Sequence, residues 1–164
     1  MDKKAHFNEL FDTYYSKVFR LCKGYFYGKE VFAADASQEI FIKIWEHLDS
    51  FRSESSISTW IYRISVNTCL MSLRKESSKK ERPTNTFPII EAEQYSHDEE
   101  EKLEKMYACI QKLEENDKMI ILMVLEGITY NEISEVVGIS EETLRVRIHR
   151  TKKSLTQCVH NGKI

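Results

Sequence analysis

The sequence predicts an all-α protein, and three observations carry that prediction. Apolar residues recur at intervals of three and four in each segment that has a pattern. The 164 residues include only 2 Pro and 5 Gly, too few to turn a β-rich chain, whose turns need those residues. An apolar fraction of 41%, with 11% aromatic, is enough to pack helices around cores. The length allows one domain or two small ones.

The elements follow in order. Phe7, Leu10, Phe11, Tyr14, Val18, Leu21, Cys22 and Tyr25 stand at helical spacing, so the chain opens on an amphipathic helix that ends loosely around Gly24 and Gly28. A second helix places Ile40, Phe41, Ile44, Trp45 and Leu48 on its core side. The serine-rich loop LDSFRSESS follows, then a third helix from about Ser56 to Arg74 with Ile57, Trp60, Ile61, Ile64 and Met71 as its core stripe. Periodicity returns with Leu103, Met106, Tyr107, Ile110 and Leu113. A further helix carries Met119, Ile120, Leu122, Met123 and Leu125 and ends at Gly127. TYNEISEVVG ends at Gly138, and VVGISEETLRVRIHRTKKSL supplies the last helix.

Between Lys75 and about Glu101 the pattern dissolves. SSKKERPTNTFPIIEAEQYSHDEEE holds both prolines and an acidic run, a composition that buries too little surface to fold alone. Charge marks the same boundary. Residues 1–74 carry 10 Lys and Arg against 9 Asp and Glu, residues 75–101 carry 4 against 8, and residues 102–164 carry 10 against 9. The expectation is therefore two small helical domains, 1–75 and 102–164, joined by a flexible acidic linker over 76–101. Each lobe can still present a basic face.

The C-terminal lobe contains a helix-turn-helix pattern. Gly138 and Ile139 turn the chain between two helices. Ser140 can cap the second, with Glu141 and Glu142 in its first turn where the helix dipole favours acids. Position 143 is Thr, so the full capping box is absent. Leu144, Ile148 and Leu155 form the buried stripe; Val146, His149, Arg150 and Lys153 point away from it, with Arg145 at the edge. From Arg145 to Lys153 the chain holds Arg145, Arg147, Arg150, Lys152 and Lys153 and no acid, in a protein of net charge -2. Arg can bond guanine edges, Lys and Arg neutralise phosphates, and an outward Val146 suits a thymine methyl. Taken as a charge run, the segment is also a solvated basic face; the preceding TYNEISEVVGIS argues for DNA.

The N-terminal lobe offers two faces. On the second helix Asp35, Gln38, Glu39, Ile42 and Glu46 lie opposite the Ile44–Leu48 side, either as a solvated face or as a docking face with an apolar centre and polar rim. On the third helix Arg63, Asn67 and Arg74 form a polar stripe beside Trp60. With the loop residue Phe51 they could hold an unstacked base, or Phe51 and Trp60 could simply be core.

ADASQEIFIKIWEHLDSF, STWIYRISVNTCLMSLRK and ITYNEISEVVGISEETLRVRIHRTKKSL, in that order and spacing, closely resemble the extracytoplasmic-function (ECF) sigma factors of bacterial RNA polymerase. The resemblance covers about four-fifths of the chain and excludes the linker. It implies that residues 1–75 are a sigma region 2 domain that docks on the clamp helices of the largest polymerase subunit and melts the minus-ten element. Asp35, Gln38, Glu39 and Ile42 fall in the docking motif. Phe51 and Asn67 match positions that capture a flipped non-template base, with Trp60, Arg63 and Arg74 beside them. Residues 102–164 would be a region 4 domain that reads the minus-thirty-five element and contacts the β flap. Arg145, Val146, Arg147, His149, Arg150 and Lys153 would meet that DNA. Val146 and His149 stand where some members carry Ser and a bulky aromatic. The family's linker threads toward the polymerase active site. The family also implies an anti-sigma factor as a partner, besides core RNA polymerase and promoter DNA.

Other classes fit less of the chain. A conventional helix-turn-helix regulator with a sensory N-terminal domain explains residues 102–164 equally well, but leaves the Asp35/Gln38/Glu39 face and the Arg63/Asn67/Arg74 stripe without a task. An enzyme is not expected: the sequence shows no phosphate-binding loop, no Ser-His-Asp order and no metal-ligand cluster. No cofactor or metal is expected either. Cys22, Cys69, Cys109 and Cys158 are far apart and form no CxxC pair, so a disulfide framework or zinc site is not expected, and a reducing cytoplasm fits. There is no long apolar run, hence no expected signal peptide or membrane insertion.

Overall fold

The computed structural model describes residues 2–76 and 96–161, and the side chains of 2–72 and 96–161. Among these the architecture is helical throughout: α1 Lys3–Tyr25, α2 Glu30–His47, a single 3₁₀ turn Leu48–Ser50, α3 Ile57–Glu76, α4 His97–Gln111, α5 Glu115–Leu125, α6 Tyr130–Val137 and α7 Glu141–Asn161. The described residues group into two compact units. One holds residues up to 23 with 29–76; the other holds Gly24–Gly28 with 96–161.

The first unit packs α1, α2 and α3 around Leu10, Val18, Phe19, Leu21, Ile40, Phe41, Ile44, Ile61 and Tyr62, all buried. Aromatic rings dominate: Phe11 and Phe41 meet edge-on at 4.9 Å, and Phe11 stacks on Tyr15 at 4.7 Å. Small residues Ala33, Ala34, Ala36 and Ser37 are buried on α2, which lets a neighbouring helix approach closely. Cys22 and Cys69 sit in this core with their sulfurs 3.6 Å apart, unbonded. The hydrogen bond with Cys22, then burial, raise the Cys69 pKa well above its ordinary 9.0, so this thiol packs as a small apolar group.

Two large apolar side chains depart from the expected core. Trp45 is 40% exposed and Met71 48%. Both belong to apolar runs wider than the helix face that the core covers. Trp45 lies about 100° round the helix from Ile44. It rests its edge on Phe7 at 5.3 Å, with the Lys3 ammonium 4.7 Å from its ring. Ile57, Trp60 and Ile64 are half-buried. The fully buried face of α3 runs instead through Thr59, Ile61, Tyr62, Ser65, Val66, Thr68 and Cys69.

In the second unit α4, α5, α6 and α7 enclose Ile110, Met119, Ile120, Ile121, Met123, Ile133, Leu144 and Ile148. Removing each such side chain from water contributes about 1.5–3 kcal/mol. α4 begins earlier than the periodicity placed it. Ser96 caps it with a full capping box: its hydroxyl accepts from the Glu99 N–H at 3.3 Å and the Glu99 carboxylate accepts from the Ser96 N–H at 3.0 Å. Of the linker expected over 76–101, residues 77–95 lie outside the described residues, and 97–101 are the first turns of α4.

The expectation of no disulfide is overturned. Cys109 on α4 and Cys158 on α7 are bonded, with their Cα atoms 5.9 Å apart. Forty-nine residues separate them in sequence. Packing of α4 on α7 joins them, which linear spacing does not reveal.

Candidate functional site

The last two helices form a helix-turn-helix built by identifiable local devices. Thr129 caps α6, its hydroxyl accepting from the Glu132 N–H at 3.2 Å. Gly138 ends α6 in the left-handed conformation, φ 77°, a geometry in which any Cβ is strained, and its N–H donates to the Ser134 carbonyl at 2.9 Å. The Ser134 hydroxyl donates to the Ile139 carbonyl at 2.6 Å and closes the turn. Ser140 then caps α7: its oxygen accepts from the Thr143 N–H at 3.2 Å while its hydroxyl donates to Thr143 Oγ1 at 2.8 Å. Thr143 stands at the position of a capping-box acid, where it accepts from the Ser140 hydroxyl.

Leu144, Ile148, Thr151 and Cys158 are the buried residues of α7; Leu155, expected among them, is half-buried. Outward stand Arg145, Val146, His149, Arg150, Lys152 and Lys153, all exposed, with Val146 at 48%. Arg145 is partly ordered before any ligand arrives. Its guanidinium lies 5.0 Å from the Tyr130 ring centre and 3.2 Å from the Glu141 carboxylate. Arg147 differs from its neighbours. It is half-buried, and its Nε and Nη2 both donate to Asp117 Oδ1 on α5, at 3.0 and 2.6 Å.

In the first unit, Phe51 leaves the 3₁₀ turn with its N–H donating to the Leu48 carbonyl at 3.3 Å. Ser53 has φ 57°, unusual for a residue with a Cβ, in the loop that carries Phe51. Ser56 starts α3 with the same Ser/Thr device as α7, accepting from the Thr59 N–H at 3.2 Å and donating to Thr59 Oγ1 at 2.9 Å. Phe51 and Trp60 are half-buried and meet at 5.0 Å between ring centres, tilted by 42°. They line a pocket of about 180 Å³ together with Ser50, Arg52, Glu54, Ser55 and Arg63. That is below the roughly 300 Å³ at which pockets enclose drug-sized ligands.

Asn67 is exposed on the Trp60 face of α3 but is not part of this lining. Seven residues put it about 10 Å farther along the axis. Arg74 belongs to α3, and its side chain lies outside the described residues.

On α2 the expected docking residues come together with two that sequence reasoning missed. Val31, Asp35, Gln38, Ile42 and Trp45 follow one another at intervals of three and four and span an arc of about 80°. Val31, Ile42 and Trp45 are exposed at 53, 45 and 40%, while Asp35, Gln38 and Glu39 are half-buried. Glu39 pairs with Lys43 at 3.2 Å. The signal was available: a 3.6-residue period read from Val31 rather than from the acids finds both missing residues.

Family models match both units: Sigma-70 region 2 over residues 10–79, and Sigma-70 region 4 over residues 103–155. The chain is 34% identical to the ECF RNA polymerase sigma-E factor of Escherichia coli strain K12, over 94% of its own length and 86% of that protein. It is 35% identical to the factor of the same name from Haemophilus influenzae, over 94% of its length and 87% of that protein. Solved structures share the fold. CnrH in complex with the cytosolic domain of CnrY aligns with a TM-score of 0.72 at 18% identity, covering 96% of this chain and 89% of that one. The sigma factor RpoE in complex with the anti-sigma factor NepR from Bartonella quintana aligns at 0.65 and 20% identity, covering 95% and 94%. Among the described residues no helix is long and apolar enough to cross a membrane. A helix-turn-helix unit and a separate helical unit with an aromatic pocket, matched in order by the two sigma regions, make this chain a member of the ECF sigma factors of RNA polymerase, which direct promoter-specific transcription initiation.

Proposed function

We propose a division of labour between the two units. Residues 1–75 dock on core polymerase through α2 and open the minus-ten element at the Phe51–Trp60 pocket. The stretch between α3 and α4 connects. Residues from Ser96 onward read the minus-thirty-five element with α7. The observation that carries this reading is the outward face of α7: Arg145, Val146, His149, Arg150 and Lys153 are all exposed on the second helix of a helix-turn-helix, with no acid between Arg145 and Lys153. On that face Arg145 and Arg150 supply base-edge or phosphate contacts, Val146 meets a thymine methyl and Lys153 meets the backbone. The chain acts as a specificity subunit and not as a catalyst; it works in the cytoplasm beside the polymerase it serves, a reading that the Cys109–Cys158 bond deprives of its cysteine argument; and an anti-sigma factor holds it in reserve. Support for that last partner comes from the CnrY and NepR complexes of its structural neighbours.

Replacement of Arg145 or Arg150 by Ala tests the placement of α7. A lost base-edge contact weakens binding by about 1–3 kcal/mol and relaxes specificity at one position, whereas a lost phosphate contact weakens all sequences alike. The check is affinity for a promoter duplex and its single-base variants. Unchanged affinity in both variants removes α7 from the groove.

For α2, the double variant Asp35→Ala, Glu39→Ala is expected to lose affinity for core polymerase. Its stability should change little, since neither carboxylate is buried in the core and a surface i,i+4 pair such as Glu39–Lys43 contributes about 0.3–0.5 kcal/mol. A normal melt with wild-type affinity for core polymerase rules out this docking face.

A further inference from the structure

We propose that Arg147 and Asp117 form a positioning brace that fixes the roll of the recognition helix, so that Arg147 serves DNA reading without touching DNA. The inference rests on reading α7 as the recognition helix. Of the five cations from Arg145 to Lys153, Arg147 alone is half-buried, and its guanidinium points to α5 rather than outward. Two of its N–H groups converge on one carboxylate oxygen at 3.0 and 2.6 Å, with side-chain exposures of 28 and 27% for Arg147 and Asp117. Asp117 stands in the first turn of α5, where the helix dipole favours a carboxylate, and the buried Lys118–Met123 segment follows it directly.

The flanking contacts of α7 do not do this task. Leu144 and Ile148 bury apolar surface against the core, and apolar attraction is non-directional. The Cys158 bond to α4 lies eleven residues farther along α7 than Arg147, so a small roll of the first turns would cost the apolar contact little, yet it would swing Arg145, Val146, His149 and Arg150 together. A pair of charged hydrogen bonds from a planar guanidinium has a preferred direction and resists the roll. The pair joins residues 30 apart in sequence, so it sets the recognition helix against a different helix of the unit, not against its own turn.

A direct contact between Arg147 and a phosphate makes the opposite prediction for one substitution. Removing the Asp117 charge frees the arginine and deletes an acid close to DNA, so binding strengthens. A brace predicts that the same change weakens binding.

The test uses core polymerase reconstituted with the full chain, and a double-stranded promoter fragment recovered from a random-sequence library by the wild-type holoenzyme. Affinity is measured across a salt series, at a temperature where circular dichroism shows each variant fully folded. D117N and R147M are each expected to weaken binding roughly tenfold, with the double variant no weaker than either single one. D117E folds with the charge kept but displaced by one methylene, and it is also expected to weaken binding. The salt slope of R147M should equal that of the wild type. An R147M slope shallower by about 0.9 would make Arg147 a phosphate contact and overturn the brace. D117N or D117E binding as tightly as wild type, or tighter, would also overturn it. R150A on the same duplex separates the two ideas. Weakened R150A with unaffected D117N removes the brace alone; unaffected R150A removes the recognition helix, and the brace with it.

Discussion

Reduction of the Cys109–Cys158 bond is expected to destabilise the second unit by about 4 kcal/mol, the loop-closure value for a cross-link between residues 49 apart in sequence. Both cysteines are buried, at 5 and 2% exposure, so the reduced thiols stay within the packing of α4 on α7 and the change falls mainly on the unfolded chain. For a unit of this size the shift in melting temperature is on the order of 20 °C. Thermal melts with and without dithiothreitol read it directly. Cys109→Ser should reproduce the reduced melt and remove its dependence on reductant. The first unit provides an internal control, because its own pair, Cys22 and Cys69, is unbonded. Superimposable melts under oxidising and reducing conditions would show that the bond contributes nothing to the stability of the second unit.

The second large effect is expected at the Phe51–Trp60 pocket. A base stacked on an aromatic is stabilised by about 1–3 kcal/mol, so Phe51→Ala or Trp60→Ala should impair opening of a duplex promoter by roughly five- to hundredfold. A template with a preformed minus-ten bubble should recover part of the loss, because unpairing no longer has to be offset. The two rings also touch each other, a contact whose loss alone costs stability of about 0.5–1.5 kcal/mol. If packing were their whole role, the variants would melt lower and lose equally on both templates. Permanganate reactivity of promoter thymines on the two templates, with melts alongside, decides between these outcomes. Asn67 lies outside the pocket lining, so it should meet a neighbouring nucleotide, and its loss should add to that of Phe51 instead of merging with it.

Much of this was legible in residue spacing. Helical periods located all seven α-helices of the described residues. Gly138 and Ser140 located the turn before α7, because glycine is favoured in the left-handed position that ends a helix and serine is among the favoured N-caps. The outward set Val146, His149, Arg150 and Lys153 followed from 100° per residue. Spacing failed where the deciding contact was tertiary. Arg147 looked like one more cation of a basic run until Asp117, on another helix, was placed beside it. Cys109 and Cys158 looked unrelated for the same reason. Spacing puts Trp45 and Met71 in the core, because apolar character does not say how wide a face the neighbouring helices cover. The start of α4 was missed although its signal was local: Ser96 and Glu99 spell a capping box inside a stretch dismissed for its acidity.

The most direct test of the account is transcription in vitro with core polymerase and this chain on a promoter recovered from a random library by their holoenzyme. Transcripts are expected from one defined start site and should require the chain. They should disappear when either the upstream or the downstream recovered element is scrambled, the first change mimicked by Arg150→Ala and the second by Trp60→Ala. A chain that binds core polymerase yet yields no start-specific transcript, or transcripts indifferent to both elements, would contradict it.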